Sequence, residues 1–345
     1  PTIRPHESGP RVVLAPGVGM FTTGSSGKQA DMVADIYLHT MDIIEAATAI
    51  GTYRALPPKD LYDMEYWPLE LYKLTQAPPE REFARRVALV TGAGRGIGRV
   101  VAEDLAARGA FVVVTDVDQA AAKNTARIIT ANGDEAQPMS LDVTSEDETT
   151  RAFADAARLA GAVDLVVSNA GIASTAALDN LSLEAWQRSL DVNATGHFLV
   201  CRAALRQMRA QAIGGSIVLI CTKNALDPGA DFGAYSAAKA AQLQLGRVLA
   251  IEGGPFGIRV NMVNPDAVFD GSGLWDKELR AGRAATHGVP PDALESFYAQ
   301  RNLLRASISS QDVAEAVAFL ASDRAAKTTG AVLPVDGGVR GAFPR

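Results

Sequence analysis

The stretch RVALVTGAGRGIG, residues 86–98, decides how the rest of the chain is read. Its first half is apolar and rich in valine, as a strand buried on both faces requires; its second half is a glycine-rich turn running straight into a helical pattern. Glycines at 92, 96 and 98 permit a tight turn, close approach of backbone N–H groups to a pyrophosphate, and close packing of helix on strand. Arg95 and Ile97 fill the positions between them. Such a turn alone is a weak signal. The flanks strengthen it, because the next apolar run, FVVVTD (111–116), ends on Asp116, eighteen residues beyond Gly98. A carboxylate there accepts hydrogen bonds from a ribose diol and repels a 2′-phosphate, which favours NAD over NADP. Arg95 has two readings: a partner for a 2′-phosphate, or a solvated arginine over the adenine side.

Further runs follow at DLVVSNAG (164–171), SIVLICT (216–222) and IRVNMVNP (258–265), separated by alanine-rich helical stretches. The alternation predicts βαβ units, and so a doubly wound, Rossmann-like α/β fold around a parallel sheet of about seven strands. Ahead of it, RVVLAP (11–16), a glycine-rich turn and a helical pattern from Lys28 to about Ile50 are too little to bury a core alone. This extension is expected to pack against the sheet domain or a neighbouring chain. Composition shifts near residue 80: the proline-rich, acidic and aromatic segment before it reads as a connector with one short amphipathic helix around 59–75. The expected division is 1–55, 56–83 and 84–345.

A chain of 345 residues that is 48% hydrophobic and 21% charged is ordinary for a soluble protein, and no run approaches the roughly 18 apolar residues a membrane span needs. The net charge of −6 argues against nucleic acid, whose phosphates require clustered lysine and arginine. Two cysteines, Cys201 and Cys221, build neither a disulfide framework nor a thiolate zinc site, which fits a reducing cytoplasm. His6 and His39 have no second histidine within a turn, so both read as structural residues and no metal is expected. The chain begins at Pro1 without a signal-peptide pattern, and we expect it to start inside a longer gene product.

Tyr235 and Lys239 stand four residues apart in AYSAAKAA and so share one helix face. They read either as a solvated polar face or as a proton-transfer pair, in which an ammonium would lower the ordinary phenol pKa of about 10. Thirteen residues upstream, at a strand end, Thr222 offers a hydroxyl for the reacting oxygen. The ordered set TGAGRGIG (91–98), LDVT (141–144), SNAG (168–171), DVNATG (191–196), Tyr235 with Lys239, and VDGG (335–338) resembles the short-chain dehydrogenase/reductase family over about residues 84–345. The resemblance implies Tyr235 as acid–base, Lys239 on the nicotinamide ribose, and Asn193 in a proton relay. It places Asp142 and Val143 at the adenine, Asn169, Ala170 and Gly171 on the cofactor floor, and Pro265 and Val268 near the carboxamide. Threonine replaces the family's usual serine at 222, and Asp266 replaces the glycine usual after Pro265. The first change keeps a hydroxyl and adds a methyl. The second puts a carboxylate near the nicotinamide or substrate.

A narrower resemblance joins RVVLAPGVGMFTTG (11–24), DLYDMEYWPLELYKL (60–74), CTKNALDPGADFGAYSAAKAA (221–241), NPDAVFDGSGLWDKELRAGRAATHGV (264–289) and SDRAAKTTGAVLPVDGG (322–338). Together they look like the C-terminal part of bifunctional class II aldolase/short-chain dehydrogenase proteins, whose aldolase domain cleaves rhamnulose 1-phosphate and whose dehydrogenase takes the lactaldehyde. That implies an NAD-dependent oxidoreductase acting on a small hydroxyaldehyde or alcohol, L-lactaldehyde to L-lactate in rhamnose catabolism; a polyol dehydrogenase or an NAD-binding module without turnover stays open beside it. Residues 1–55 then look like the end of an aldolase domain whose catalytic part lies outside this sequence. Asn224, Asp266 and Trp275 are candidate substrate contacts, and the charged insert 266–310, with Trp275, His287 and Tyr298, is expected to form a lid. Family resemblance also implies a homo-oligomer, dimer or tetramer, through helices starting near Leu183 and Tyr235. The alternative is that their alanines pack only within one subunit.

Overall fold

The computed structural model describes residues 9–76 and 79–343, so His6 lies outside the described residues. Two compact units divide the chain, residues 1–85 and 86–345. In the first, β1 (Val12–Ala15) and β2 (Gly19–Thr22) pair antiparallel in register Val12 with Thr22. Gly17 at φ +72° lies in the turn between them, a conformation that costs glycine nothing. The second strand was not expected, because GMFT lies inside what the sequence offers as a glycine-rich turn.

α1 (Gly27–Ile50) runs 24 residues from an N-cap at Ser26, whose side chain accepts from the Gln29 N–H; none of its residues is buried. The single helix expected over 59–75 is in fact two, α2 (Pro58–Glu65) and α3 (Pro68–Thr75). Pro68 removes the N–H a continuous helix would need and pushes Trp67 into extended geometry, with ψ at 134°.

The second unit follows in chain order: β3 (Val87–Thr91), α4 (Gly96–Ala107), β4 (Phe111–Asp116), α5 (Gln119–Ala131), β5 (Ala136–Ser140), α6 (Glu146–Ala160), β6 (Leu165–Ser168), α7 (Leu183–Leu190), a π-helical turn (Asp191–Gly196), α8 (His197–Gln211), β7 (Gly215–Ile220), α9 (Gly233–Gly253), β8 (Ile258–Pro265), α10 (Lys277–His287), α11 (Leu294–Arg301), α12 (Ser310–Ala321) and β9 (Val332–Val335). The strands form one parallel sheet in the order β5-β4-β3-β6-β7-β8-β9. Strand order reverses between β3 and β6, the switch point at whose carboxyl ends such sheets hold ligands.

Central strands are buried throughout, β3 and β6 at every residue. Leu89, Val113, Val166, Ile217 and Val260 form one continuous core with residues of α6, α8 and α9. The two edge strands differ. AQPMS and VLPV carry Pro138 and Pro334, so neither shows an apolar run in the sequence. Proline lacks a ladder donor and is tolerated here because β5 pairs only with β4, and β9 only with β8.

Candidate active site

A cavity of about 700 Å³ opens along the carboxyl ends of β3, β4, β6, β7 and β8. At one end lies the glycine turn. Ala93 N–H donates to the Thr115 carbonyl at 2.9 Å, and Gly94 N–H to the Asp116 carboxylate at 2.9 Å. The second Asp116 oxygen accepts from the Asp118 N–H, so this carboxylate is fixed at the turn. Asn169 closes the far side: its Nδ2 donates to the carbonyls of Thr91 and Gly92 at 2.9 and 3.0 Å, while its own N–H and that of Ala170 share the Thr91 hydroxyl.

The turn has no room for side chains. A Cβ on Gly98 would overlap the Gly92 carbonyl oxygen, and one on Gly92 would stand 2.7 Å from the Ala170 Cα, at a φ of +62° that favours glycine regardless of space. Backbone this tightly drawn in, at the start of α4, fits the diphosphate of a dinucleotide. Ile97, Asp142, Val143, Gly171, Pro265 and Val268 line the same cavity. The Asp142 carboxylate is taken up locally by Thr144, which leaves its contribution to the wall. Arg95 pairs with Asp118 at 3.2 Å and is more than half exposed. The loop Gly271–Gly273 lies against the turn: a Cβ on Gly96 would be 3.2 Å from the Ser272 Cα, and one on Gly273 would overlap the Arg95 side chain.

At the other end the first turns of α9 carry Tyr235 and Lys239 under the C-terminal end of β7. Tyr235 and Thr222 both line this end; burial pushes the phenol up to about 12, and the neighbouring Thr222 side chain opposes the rise. Lys239 donates to the Ile220 carbonyl at 3.0 Å, with Nζ 5.9 Å from the Tyr235 ring centroid. Burial pulls its ammonium down to about 8. Loss of solvation is the largest cause of both shifts. Asn193, in the π-helical turn, spends its side chain on the fold. Its Nδ2 donates to the Ile172 carbonyl at 2.9 Å and the Ser189 hydroxyl at 3.2 Å, and its Oδ1 accepts from the Ile172 N–H at 3.1 Å.

Asp266 is buried and pairs with Arg301 at 3.2 Å; burial raises its pKa, and the charges of Lys223 and Arg301 oppose the rise. The next residue, Ala267, holds a left-handed φ of +52°. Trp275 stacks on Phe269 at 4.3 Å and packs with Tyr298. Asn224 lines this end and donates its N–H to the Thr222 hydroxyl at 3.4 Å. Further cationic residues line the wall, Arg188, Lys223, Arg283 and Arg301, and the sequence reading gave Arg188, Arg283 and Arg301 no role. Arg283 lies in KELRAGRAATH, part of the charged insert, yet it is 3% exposed.

Comparison with known proteins bears on this geometry directly. The family described as Enoyl-(Acyl carrier protein) reductase matches residues 92–340. A short-chain type dehydrogenase/reductase from Mycobacterium marinum has a solved structure that superposes with a TM-score of 0.67 at 30% identity, covering 76% of this chain and 98% of that one. The chain belongs to the short-chain dehydrogenase/reductase family. It is therefore an oxidoreductase of a family that uses nicotinamide cofactors, and the glycine turn fits one. Cis-4-hydroxycyclohexanecarboxylate dehydrogenase of Sinomonas cyclohexanicum is 40% identical over 74% of this chain and 97% of its own length. An uncharacterized oxidoreductase of Bacillus subtilis (strain 168), YuxG, is 46% identical over 98% of this chain, which spans 50% of that protein. Residues 2–74 match the second domain of class II aldolases, consistent with an aldolase-related fusion.

Proposed function

We propose that this dehydrogenase uses NAD and moves hydride between the nicotinamide and a small hydroxyaldehyde or alcohol, with L-lactaldehyde to L-lactate as its reaction. The observation that carries the proposal is that Tyr235, Thr222 and Lys239 are all buried in one cavity that also takes in the glycine turn and Asp116. When bound, oxidised nicotinamide supplies a hydride acceptor and a positive charge near the phenol. Thr222 holds the reacting oxygen, and Tyr235 takes its proton as the phenolate, the form that Lys239 and the positive charge of a bound cofactor would favour against the burial that raises its pKa. Asn193 contributes to proton relay through its backbone, because its side chain is committed to Ile172 and Ser189. For an aldehyde the reacting species is the hydrate: one hydroxyl gives its proton to Tyr235, the C–H leaves as hydride, and the acid remains. Asp116 directs the choice of NAD, since a 2′-phosphate beside a fixed carboxylate is repelled.

A polyol is the second reading, favoured by the polar lining of Lys223, Asn224 and Asp266, which offers more hydrogen-bonding groups than a three-carbon aldehyde uses. Steady-state rates with NAD and NADP on L-lactaldehyde, 1,2-propanediol and C4–C6 polyols test both. Turnover of none of them sinks the assignment and leaves an NAD-binding module.

We also read residues 1–55 as the end of an aldolase domain, 56–83 as its connector and 84–345 as the dehydrogenase, in a cytoplasmic homo-oligomer. The aldolase match over 2–74 supports this reading and carries it into the connector. Sedimentation of the purified chain at the mass of a monomer would overturn the oligomer.

A further inference from the structure

We infer that the substrate end of the pocket holds a carboxylate, bound by Arg283 with Lys223 as second partner. This rests on the dehydrogenase reading above and names the chemistry its pocket selects. Arg283 is 3% exposed, yet its hydrogen bonds all run to neutral acceptors: the Ala230 carbonyl at 2.8 Å, the Tyr298 hydroxyl at 3.3 Å and the His287 ring at 2.9 Å. Its guanidinium also lies over the Phe232 ring at 4.7 Å. The carboxylate it faces, Asp231, stands 3.9 Å away, beyond hydrogen-bond distance, and accepts from Thr286 instead. A buried guanidinium without a hydrogen-bonded anion is costly, and a neutral amide could hold the Ala230 carbonyl as well. The positive charge therefore calls for a reason other than tying α10 in place.

Lys223 repeats the pattern. It is 6% exposed and donates to the Asp227 carbonyl at 2.9 Å, with that residue's carboxylate 3.6 Å away. Asp227 lies toward solvent, so its charge is well screened. Both cations line the cavity that holds Tyr235 and Thr222. The charges of these residues reach one another's neighbours. After burial, His287 is held below its ordinary pKa by Arg283, Arg301 and Lys223 together. A planar guanidinium and an ammonium lining one cavity suit a carboxylate.

The carboxylate has two possible origins, as the acid formed from an aldehyde at the reacting carbon or as a remote group carried by a hydroxy acid. Calorimetric titration of the NAD-loaded protein separates them without needing turnover. L-lactate is compared with lactamide, and 4-hydroxybutanoate with 1,4-butanediol. At least one anion should bind tenfold or more tighter than its neutral counterpart, lactate if the acid is formed there, hydroxybutanoate if it is carried in. Arg283→Gln should cut that preference below threefold with NAD affinity unchanged. Should Arg283→Gln fail to fold, Lys223→Met must reduce the preference at least threefold. No preference in the wild type, or a preference that survives the folded variant, overturns the inference. Preference without turnover on any alcohol or aldehyde leaves the carboxylate site standing and sinks the dehydrogenase substrate reading instead.

Discussion

At the glycine-turn end of the pocket the closest approaches are between main-chain groups, and at the Tyr235 end the walls are side chains. The first end is made by Thr91 to Gly98 and the segment 169–171, where peptide groups approach so closely that a methyl group cannot enter. The second is made by Thr222, Lys223, Asp266, Arg283 and Arg301, brought together from β7, β8, α10 and α11 and their loops. A site of backbone has few ways to vary and tolerates no added volume. A site of side chains can change its chemistry without disturbing the sheet beneath it.

That contrast is sharpest where single atoms are removed or added. Tyr235→Phe deletes one oxygen and should lower kcat/KM about a thousandfold, with the dissociation constant for NAD unchanged in fluorescence titration. Gly98→Ala adds one methyl against the Gly92 carbonyl, and should weaken NAD binding by about a hundredfold or prevent folding, because the neighbour is backbone and cannot yield. At the other end the same methyl is harmless: Thr222→Ser should retain activity within about threefold, whereas Thr222→Val, which keeps the bulk and loses the hydroxyl, should cost about a hundredfold. Full activity in Thr222→Val would break the comparison.

A smaller effect is expected at Asp116, which belongs to the backbone end yet acts through its charge. Wild type should favour NAD over NADP by more than tenfold in kcat/KM, and Asp116→Asn should bring the ratio below tenfold while preserving one of the two turn contacts. Equal use of both cofactors by the wild type would reassign Arg95 from its Asp118 pair to phosphate binding.

The smallest effect is on stability against pH. Lys239 has a folded pKa of about 8 against about 10.5 unfolded, so between these values the unfolded chain binds more protons and stability rises with pH. Tyr235 works oppositely, its folded value of about 12 exceeding about 10 unfolded, so its contribution falls as pH climbs above 10. Melting temperatures of wild type and Lys239→Gln should therefore diverge from pH 8 to 10, with only the wild type gaining from Lys239.

The sequence made the backbone end legible because its requirements are local. Gly92, Gly96 and Gly98 stand in one turn, Asp116 closes the next strand, and Asn169 to Gly171 follow a third apolar run. At the other end Tyr235, Lys239 and Thr222 were legible because they lie close together around the end of β7 and the start of α9, and Asn224, Asp266 and Trp275 were named as candidates that also line the cavity. Arg283 and Arg301 lie on short helices of an insert whose burial depends on Phe269, Trp275 and Tyr298 packing together, and no periodicity announces that. Edge strands were lost for a related reason: Pro138 and Pro334 break an apolar run, and only their place at the sheet margins makes them acceptable. Pro68, by contrast, was in plain sight and still divides what was read as one helix.

Cys221 lies in the wall beside Thr222, and burial pushes its thiol up to about 12, so at neutral pH it is protonated. Capture of an aldehyde as a thiohemiacetal needs a thiolate, and that route is closed to this residue. Oxidation of an aldehyde then draws only on the fraction that water has already converted to the gem-diol, whereas oxidation of an alcohol carries no such penalty. Across a series of aldehydes of similar size, the apparent KM for oxidation should follow the hydration equilibrium of each compound in solution, and the KM for reduction of the same aldehydes should follow the free carbonyl form.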